Sequence, residues 1–321
     1  MDAGQPLTPL KWSQLSPVLA DEDKARAYLE QMRWGADGAA CPKCGGANAY
    51  RLIPRKPGST TRKGLWKCRV CRKQFTVTVG TVFEDSHIPI TKWLQALYLI
   101  TASKKGISAH QLHRMLGITY KSAWFMAHRL RYAMSSGPMA PRLTGIVEAD
   151  ETYIGGKRKN RTGRPGPGDV QKTPVIALVE RNGRARAFPM MRVTSENVQK
   201  ALAANLHQIS TSELITDESN LYGGAKFGRI PHSTVNHTKK EYARGHVHTN
   251  TVEGFFSLLK RGIFGVFHHV SKEHLARYCD EFAFRYSERH VTDAERAGLL
   301  VKNAEGKRLT YKQPAGARAA H

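Results

Sequence analysis

The spacing of apolar positions changes along the chain, and each change marks an element. Asp21, Glu22 and Asp23 precede Ala25, Tyr28, Leu29 and Met32, an apolar stripe at helical spacing with acids at the end the helix dipole prefers. Short β-like runs follow between 35 and 80, ending in Gln74-Phe75-Thr76-Val77-Thr78-Val79. From Thr91 to Met134 the period is helical again, with Trp93, Leu94, Leu97, Tyr98 and Ile100 first and two shorter helices after them. Ser135-Ser136-Gly137-Pro138 and Pro141 form a linker. An α/β succession comes next. Strands are predicted near 145–152, 174–180, 184–193, 213–217 and 233–237, and helices near 195–209, 250–261 and 272–287. Asn182-Gly183 predicts a hairpin turn, and the Gly/Pro-rich basic stretch 156–168 a mobile loop. Beyond Lys302 the pattern fades, so a frayed tail is expected.

Within the second helical region, Ser108 to Gly117 reads as a short helix, Ile118-Thr119 as a turn and Tyr120 to Arg131 as a second helix. Ile107, Leu112, Leu116, Ile118, Ala123 and Leu130 would form its apolar seam. As a helix-turn-helix it would turn Tyr120, Lys121, Trp124 and His128 toward a DNA groove, with Arg129 and Arg131 on phosphates. An ordinary helical hairpin gives the same pattern.

Charge points to the kind of partner. The 321 residues hold 50 Lys plus Arg against 26 Asp plus Glu, a formal charge of +24. That excess suits a polyanion, above all nucleic acid, since each neutralised phosphate releases counterions. No apolar run is long enough to span a membrane, and no secretory signal opens the sequence, so a cytoplasmic protein is expected.

Four of the five cysteines form two pairs, Cys41-Pro-Lys-Cys44 and Cys68-Arg-Val-Cys71, 23 residues apart. Two tight turns of this kind complete a tetrahedral site with no open position, so one structural zinc ion is expected; a redox pair or an iron–sulfur cluster are the alternatives. Basic residues crowd the pairs, among them Lys43, Arg51, Arg55, Lys56, Lys67 and Arg69, as phosphate contacts or as a solvated face. Cys279 falls among Ala276, Tyr278 and Phe282 as a core residue.

Three acids stand out in the α/β region. Asp150 lies in the strand-like run Gly145 to Glu151, Asp217 closes the run Glu213 to Asp217, and Glu253 sits on the helix that begins near Asn250. Brought together, they would repel one another unless a cation sat between them. Hard oxygen ligands suit Mg²⁺ (or Mn²⁺), and two such ions about 3.5–4 Å apart clamp the attacking and leaving oxygens of a phosphoryl displacement. Strand alternation puts Asp150 on one face with Glu148 and Thr152, with Glu151 on the other; Glu148 or Glu151 could be the first ligand instead. Glu218 competes with Asp217, which is preferred at the strand end. Lys260 lies two helical turns after Glu253 on the same side, placed to hold a phosphate, and Asn250 is close to that face. Phe255, Phe256, Leu258 and Leu259 would pack on the sheet.

These motifs together resemble DDE transposases of bacterial insertion sequences, and more narrowly the insertion sequence 1595 family. The matching stretches are Val147 to Lys157, Thr216 to Glu218, His248 to Gly262, Phe282 to Tyr286 and the cysteine pairs. The resemblance implies an α/β fold in which a zinc ribbon (35–86) and a helix-turn-helix-like domain (87–136) precede an RNase H-like catalytic domain (142–291), with a helical segment at 1–34 and a basic tail at 292–321. It maps the carboxylate triad onto Asp150, Asp217 and Glu253. The 35 residues between the last two match the usual spacing, and Lys260 matches the basic residue after the glutamate. Asn250 keeps a minor claim as third ligand, and Phe256 stands where tryptophan is expected. The implied activity is Mg²⁺-dependent cleavage at terminal inverted repeats followed by strand transfer into target DNA. A homodimer or larger assembly on double-stranded DNA is expected, on the nucleoid of a bacterial cytoplasm. Lys157, Arg158, Lys159, Arg161 and Arg164 are candidates for tracking the DNA backbone. The rival is a DNA-binding regulator whose RNase H-like part is inert.

Overall fold

A computed structural model describes residues 9–53, 61–137, 140–155, 172–218, 221–222, 230–236 and 243–310. The chain divides into two compact units, residues 1–134 with 291–321, and residues 135–290.

The first unit opens with α1 (Trp12–Leu19) and α2 (Glu22–Trp34). The Asp21 carboxylate caps α2, accepting from the backbone N–H groups of Asp23 at 2.7 Å and Lys24 at 2.9 Å. The predicted stripe Ala25, Tyr28, Leu29 and Met32 is its buried face. Strands β1 (Ala49–Arg51), β2 (Trp66–Cys68) and β3 (Gln74–Phe75) form an antiparallel sheet in that order. The sheet rests on α2: Trp34 meets Trp66 edge-on at 5.5 Å, and the Trp66 indole N–H donates to Glu30 at 3.1 Å. The run predicted to continue to Val79 stops at Phe75. Residues 76–81 fold into turns instead, where the Val79 N–H reaches the Thr76 carbonyl at 3.1 Å. Helices α3 (Ile90–Ala102), α4 (Ala109–Leu116) and α5 (Tyr120–Met134) follow. Ser108 caps α4, and Gly117, at φ +61°, ends it in the left-handed conformation that glycine adopts without strain.

The second unit is a five-stranded sheet between helices. Its elements are β4 (Leu143–Ile154), β5 (Thr173–Glu180), β6 (Ala185–Pro189), α6 (Ser195–Asn205), β7 (Leu206–Asp217), β8 (His232–Val235), the small pair β9 (Ala243–Arg244) and β10 (Val247–His248), α7 (Asn250–Gly262) and α8 (Lys272–Ser287). The strand order is β6-β5-β4-β7-β8; β4, β5 and β6 run as an antiparallel meander, and β7 and β8 lie parallel to β4. A meander continued by two parallel strands is the RNase H-like arrangement. One face of the sheet packs Val175, Ala177 and Val179 against Val252, Phe255, Phe256 and Leu259 of α7 and Leu275, Cys279 and Phe282 of α8. The other packs Val147, Ala149, Ile176 and Leu178 against Val198 and Leu202 of α6. Every residue of β5 is buried, which accounts for its unbroken apolar run. Asn182 takes φ +57° in the β5–β6 turn. A Cβ on Gly183 would fall 2.3 Å from the Glu180 carboxylate, so a side chain there would have to displace that carboxylate.

Three further elements depart from expectation. The helix predicted to run to 209 ends at Asn205, and β7 begins at Leu206 rather than 213. Its early part pairs irregularly with Leu143–Gly145, where Gly145 has φ +64°, and such pairing breaks the alternation that marks a strand. The expected tail contains α9 (Asp293–Asn303), closed at its start by a reciprocal Thr292–Glu295 capping box and burying Ala294, Ala297, Leu300 and Val301 in the first unit.

Candidate functional site

The four paired thiols converge. Among the described residues, Cys41, Cys44, Cys68 and Cys71 are the one group of three or more possible ligands whose donor atoms all lie within 4.8 Å of one another. Sγ of Cys41 is 3.6 Å from that of Cys71, and Sγ of Cys44 is 3.7 Å from that of Cys68. Backbone N–H groups of Cys71 and Val70 draw the Cys68 thiol down to about 7. At Cys44 the Gly46 N–H acts the same way, but the surrounding sulfurs outweigh it and push that thiol up to about 11. Four thiolates at this spacing need a cation among them, and an all-sulfur tetrahedral set suits zinc.

The carboxylates lie on the sheet face covered by α7 and α8. In the parallel pairing of β4 with β7, Val147 stands opposite Leu214 and Glu148 opposite Ile215. Extended two residues along each strand, this register brings Asp150 and Asp217 to one level and one face, and β7 ends there. Glu253 is in the first turn of α7, which packs across the same face. Burial, joined by the negative charges of Glu151, Asp217 and Glu253, pushes the Asp150 carboxyl up to about 7, against a pull from the Glu151 N–H that it accepts at 2.7 Å. A buried acid raised by its acidic neighbours in this way fits a divalent ion with oxygen ligands.

The two alternatives for the first ligand are otherwise engaged. Glu148 is fully buried and paired with Arg181 at 2.7 Å. Glu151 faces the α6 side and accepts from the Tyr222 hydroxyl at 2.9 Å. Burial raises Glu151 too, with the Asp217 charge adding to it. Asn250, Glu253 and Lys260 are exposed on α7, and the Thr249 hydroxyl donates to Glu253 Oε1 at 2.9 Å. Phe255, Phe256 and Leu259 are buried beneath them, with Leu258 half-buried. No motif in the sequence singles out Thr249 or Tyr222. The helix-start position of Thr249 is a legible signal, whereas nothing local links Tyr222 to Glu151.

On the helical hairpin, Tyr120 and Lys121 are exposed, and Tyr120 stacks on His110 at 4.3 Å. Trp124 is half-buried, its ring 4.2 Å from that of His128. The expectation that His128, Arg129 and Arg131 face DNA is corrected: their exposures are 0%, 4% and 2%. The Arg129 guanidinium lies over Trp93 and Phe125, donates to the Glu84 carbonyl, and is lowered by burial to about 10. It braces the 84–93 segment and presents no charge to a phosphate. Lys157, Arg158, Lys159, Arg161 and Arg164, with Arg55 and Lys56, lie outside the described residues, as does the loop 156–168. Among the described residues no helix is long and apolar enough to cross a membrane.

Comparison with known proteins bears on both halves of the chain. Residues 142–287 match the family model of the ISXO2-like transposase domain, and residues 20–74 that of the transposase zinc-ribbon domain. The ribbon match takes in α2, on which the three-stranded sheet is built. An uncharacterised protein in transposable element ISH50 of Halobacterium salinarum is 29% identical over 282 residues, 84% of this chain and 92% of that protein. A crystal structure of the mariner Mos1 paired end complex with Mg aligns with 68% of this chain and 79% of its own, at a TM-score of 0.23 and 16% identity.

Proposed function

Because the chain belongs to the insertion sequence 1595 family of DDE transposases, with their transposase domain over 142–287 and their zinc ribbon over 20–74, we propose that it cuts DNA at the terminal inverted repeats of its element and joins the freed ends to target DNA. What supports this reading is the parallel register of β4 and β7, which two residues past Glu148 and Ile215 brings Asp150 alongside Asp217, with the Glu253 charge felt at Asp150. Asp150, Asp217 and Glu253 would hold two Mg²⁺ (or Mn²⁺) ions. When bound, these ions would activate the attacking oxygen and stabilise the leaving one.

The protein's own groups do the rest. Lys260, exposed two turns along α7 from Glu253, neutralises a phosphate near the carboxylates. Asn250, exposed one turn before Glu253, hydrogen-bonds DNA or a water beside it. Tyr120 and Lys121 dock the helical hairpin on the duplex, and Trp124 supports them. A zinc ion on Cys41, Cys44, Cys68 and Cys71 holds the ribbon in shape. Two element ends must be held at once, so the active form is a homodimer or larger, working in the cytoplasm.

The test is a labelled terminal-repeat duplex with Mg²⁺. The parent chain cleaves it and transfers the end to a second duplex, while Asp217→Asn keeps DNA binding and loses cleavage by about 10³-fold or more, an effect of the size seen when a key electrostatic group is removed. Undiminished biological activity in Asp217→Asn would instead identify a DNA-binding regulator.

A further inference from the structure

A buried acid beside Asp150 takes no part in the chemistry proposed above, and its contacts converge on the helix that carries Glu253. Glu148 Oε2 accepts from the backbone N–H groups of Thr251 at 2.7 Å and Val252 at 3.0 Å. Oε1 accepts from the Thr251 hydroxyl at 2.7 Å and from Arg181 Nε at 2.7 Å. Arg181 reaches on through Nη2 to the His248 carbonyl at 3.0 Å, just before α7 begins. Thr251 and Val252 belong to the first turn of α7, whose N–H groups have no partner within the helix. An N-cap side chain usually meets that need. Here the N-cap is Thr249, which makes no such bond, and its hydroxyl goes to Glu253. The cap comes instead from a strand 103 residues earlier.

We infer that Glu148 is a positioning residue for the reaction, fixing Glu253 relative to Asp150 by capping α7 from the strand that carries Asp150. The inference rests on the carboxylate site proposed above. Val252, Phe255 and Leu259 already press α7 onto the sheet. Apolar burial has no direction, so it tolerates a slide or turn of the helix. Hydrogen bonds at 2.7–3.0 Å do not. An ion pair with one partner fully buried adds little net stability over apolar residues of the same volume, so the gain from Glu148 and Arg181 lies in registry.

The experiment compares the parent with Glu148→Gln, Glu148→Asp and Thr251→Val, the last removing only one hydroxyl donor should the others fail to fold. Four quantities are measured: Mn²⁺ affinity by electron paramagnetic resonance, amide exchange at Thr251, Val252 and α8, the Mg²⁺ dependence of cleavage, and DNA binding. In Glu148→Gln, Mn²⁺ affinity and the Mg²⁺ requirement shift by about tenfold or more, the usual scale for a group that orients a metal ligand. Exchange at Thr251 and Val252 quickens while that of α8 is unchanged, DNA binding stays parental, and Glu148→Asp recovers part of the loss. Parental Mn²⁺ affinity and Mg²⁺ dependence in all three variants would overturn the inference alone. A parent chain that binds no Mn²⁺ would overturn the carboxylate site itself, and the inference with it.

Discussion

The hydroxyl of Thr249 donates to the carboxylate of Glu253 across one turn of α7. It holds an otherwise exposed side chain in one orientation before any substrate arrives. Thr249→Val keeps the shape and removes the donor. The expected result is a cleavage rate about tenfold lower, the cost of roughly 1–1.5 kcal/mol for one hydrogen bond, with DNA affinity and thermal stability unchanged. Single-turnover cleavage with a binding isotherm checks it, and a parental rate would show that Glu253 needs no such hold.

Asp150 predicts how stability depends on pH in Mg²⁺-free protein. Its carboxyl sits at about 7 when folded, against an ordinary 3.8. Below about 4 both states hold the proton and the group contributes no difference. Between about 4 and 7 the folded state keeps a proton that the unfolded state releases, so stability falls as pH rises, and above 7 the loss is complete. Asp150→Asn removes this loss. Urea unfolding should find the variant more stable than the parent by a few kcal/mol at pH 8 and equal to it near pH 4, because each tenfold change in proton affinity on folding is worth about 1.4 kcal/mol. Mg²⁺ should then stabilise the parent and leave the variant unmoved. Equal stability at pH 8 would show that the site does not strain the metal-free fold.

The thiol cluster predicts metal content. Purified protein should carry about one zinc per chain, and Cys68→Ser should lose it. Because Trp66 and Cys68 belong to the same short strand and Trp66 abuts Trp34 of α2, loss of the ion should shift tryptophan emission to the red. Iron in place of zinc, or a full complement in the variant, would contradict this.

Lys121 and Arg129 should separate cleanly. Lys121→Ala, at an exposed site, should leave stability within about 0.5 kcal/mol and lower the salt slope of DNA binding by about one. Arg129→Ala opens the space over Trp93 and Phe125 and strips the Glu84 carbonyl of its donor, a cost of about 2–3 kcal/mol. Its folded fraction should bind DNA with the parental salt slope. A slope lowered in Arg129→Ala would mean that the guanidinium reaches phosphate after all.

What the sequence revealed, and what it hid, follows from how local each determinant is. The unbroken apolar run of β5, the Asn182-Gly183 turn and the buried face of α7 are set by neighbours in the chain, and all three were readable. That Asp150 and Asp217 both lie on strands could be expected from their apolar runs, though the partner strand and its register could not, and Asp150 stands inside β4 rather than at its end. The early part of β7 was hidden because its pairing is irregular, with Thr211 buried there and donating to the Leu143 carbonyl at 3.1 Å. Arg129 and Arg131 read as surface cations because a basic side chain carries no local mark of burial. Nor could the partners of Glu148 be found locally. Strand alternation put it on the face of Asp150, but the groups it serves lie beyond residue 180.

Glu148 and Asp150 ride on one strand, with a single residue between them. Any drift of β4 within the sheet therefore carries the helix and the aspartate as a pair, like two jaws cut from the same bar. The gap between Asp150 and Glu253 is thereby shielded from distortion elsewhere in the sheet, while Asp217 enters from the neighbouring strand β7. Two of the three acids are thus tied to one strand, and the third is set by the pairing of β7 with its neighbours.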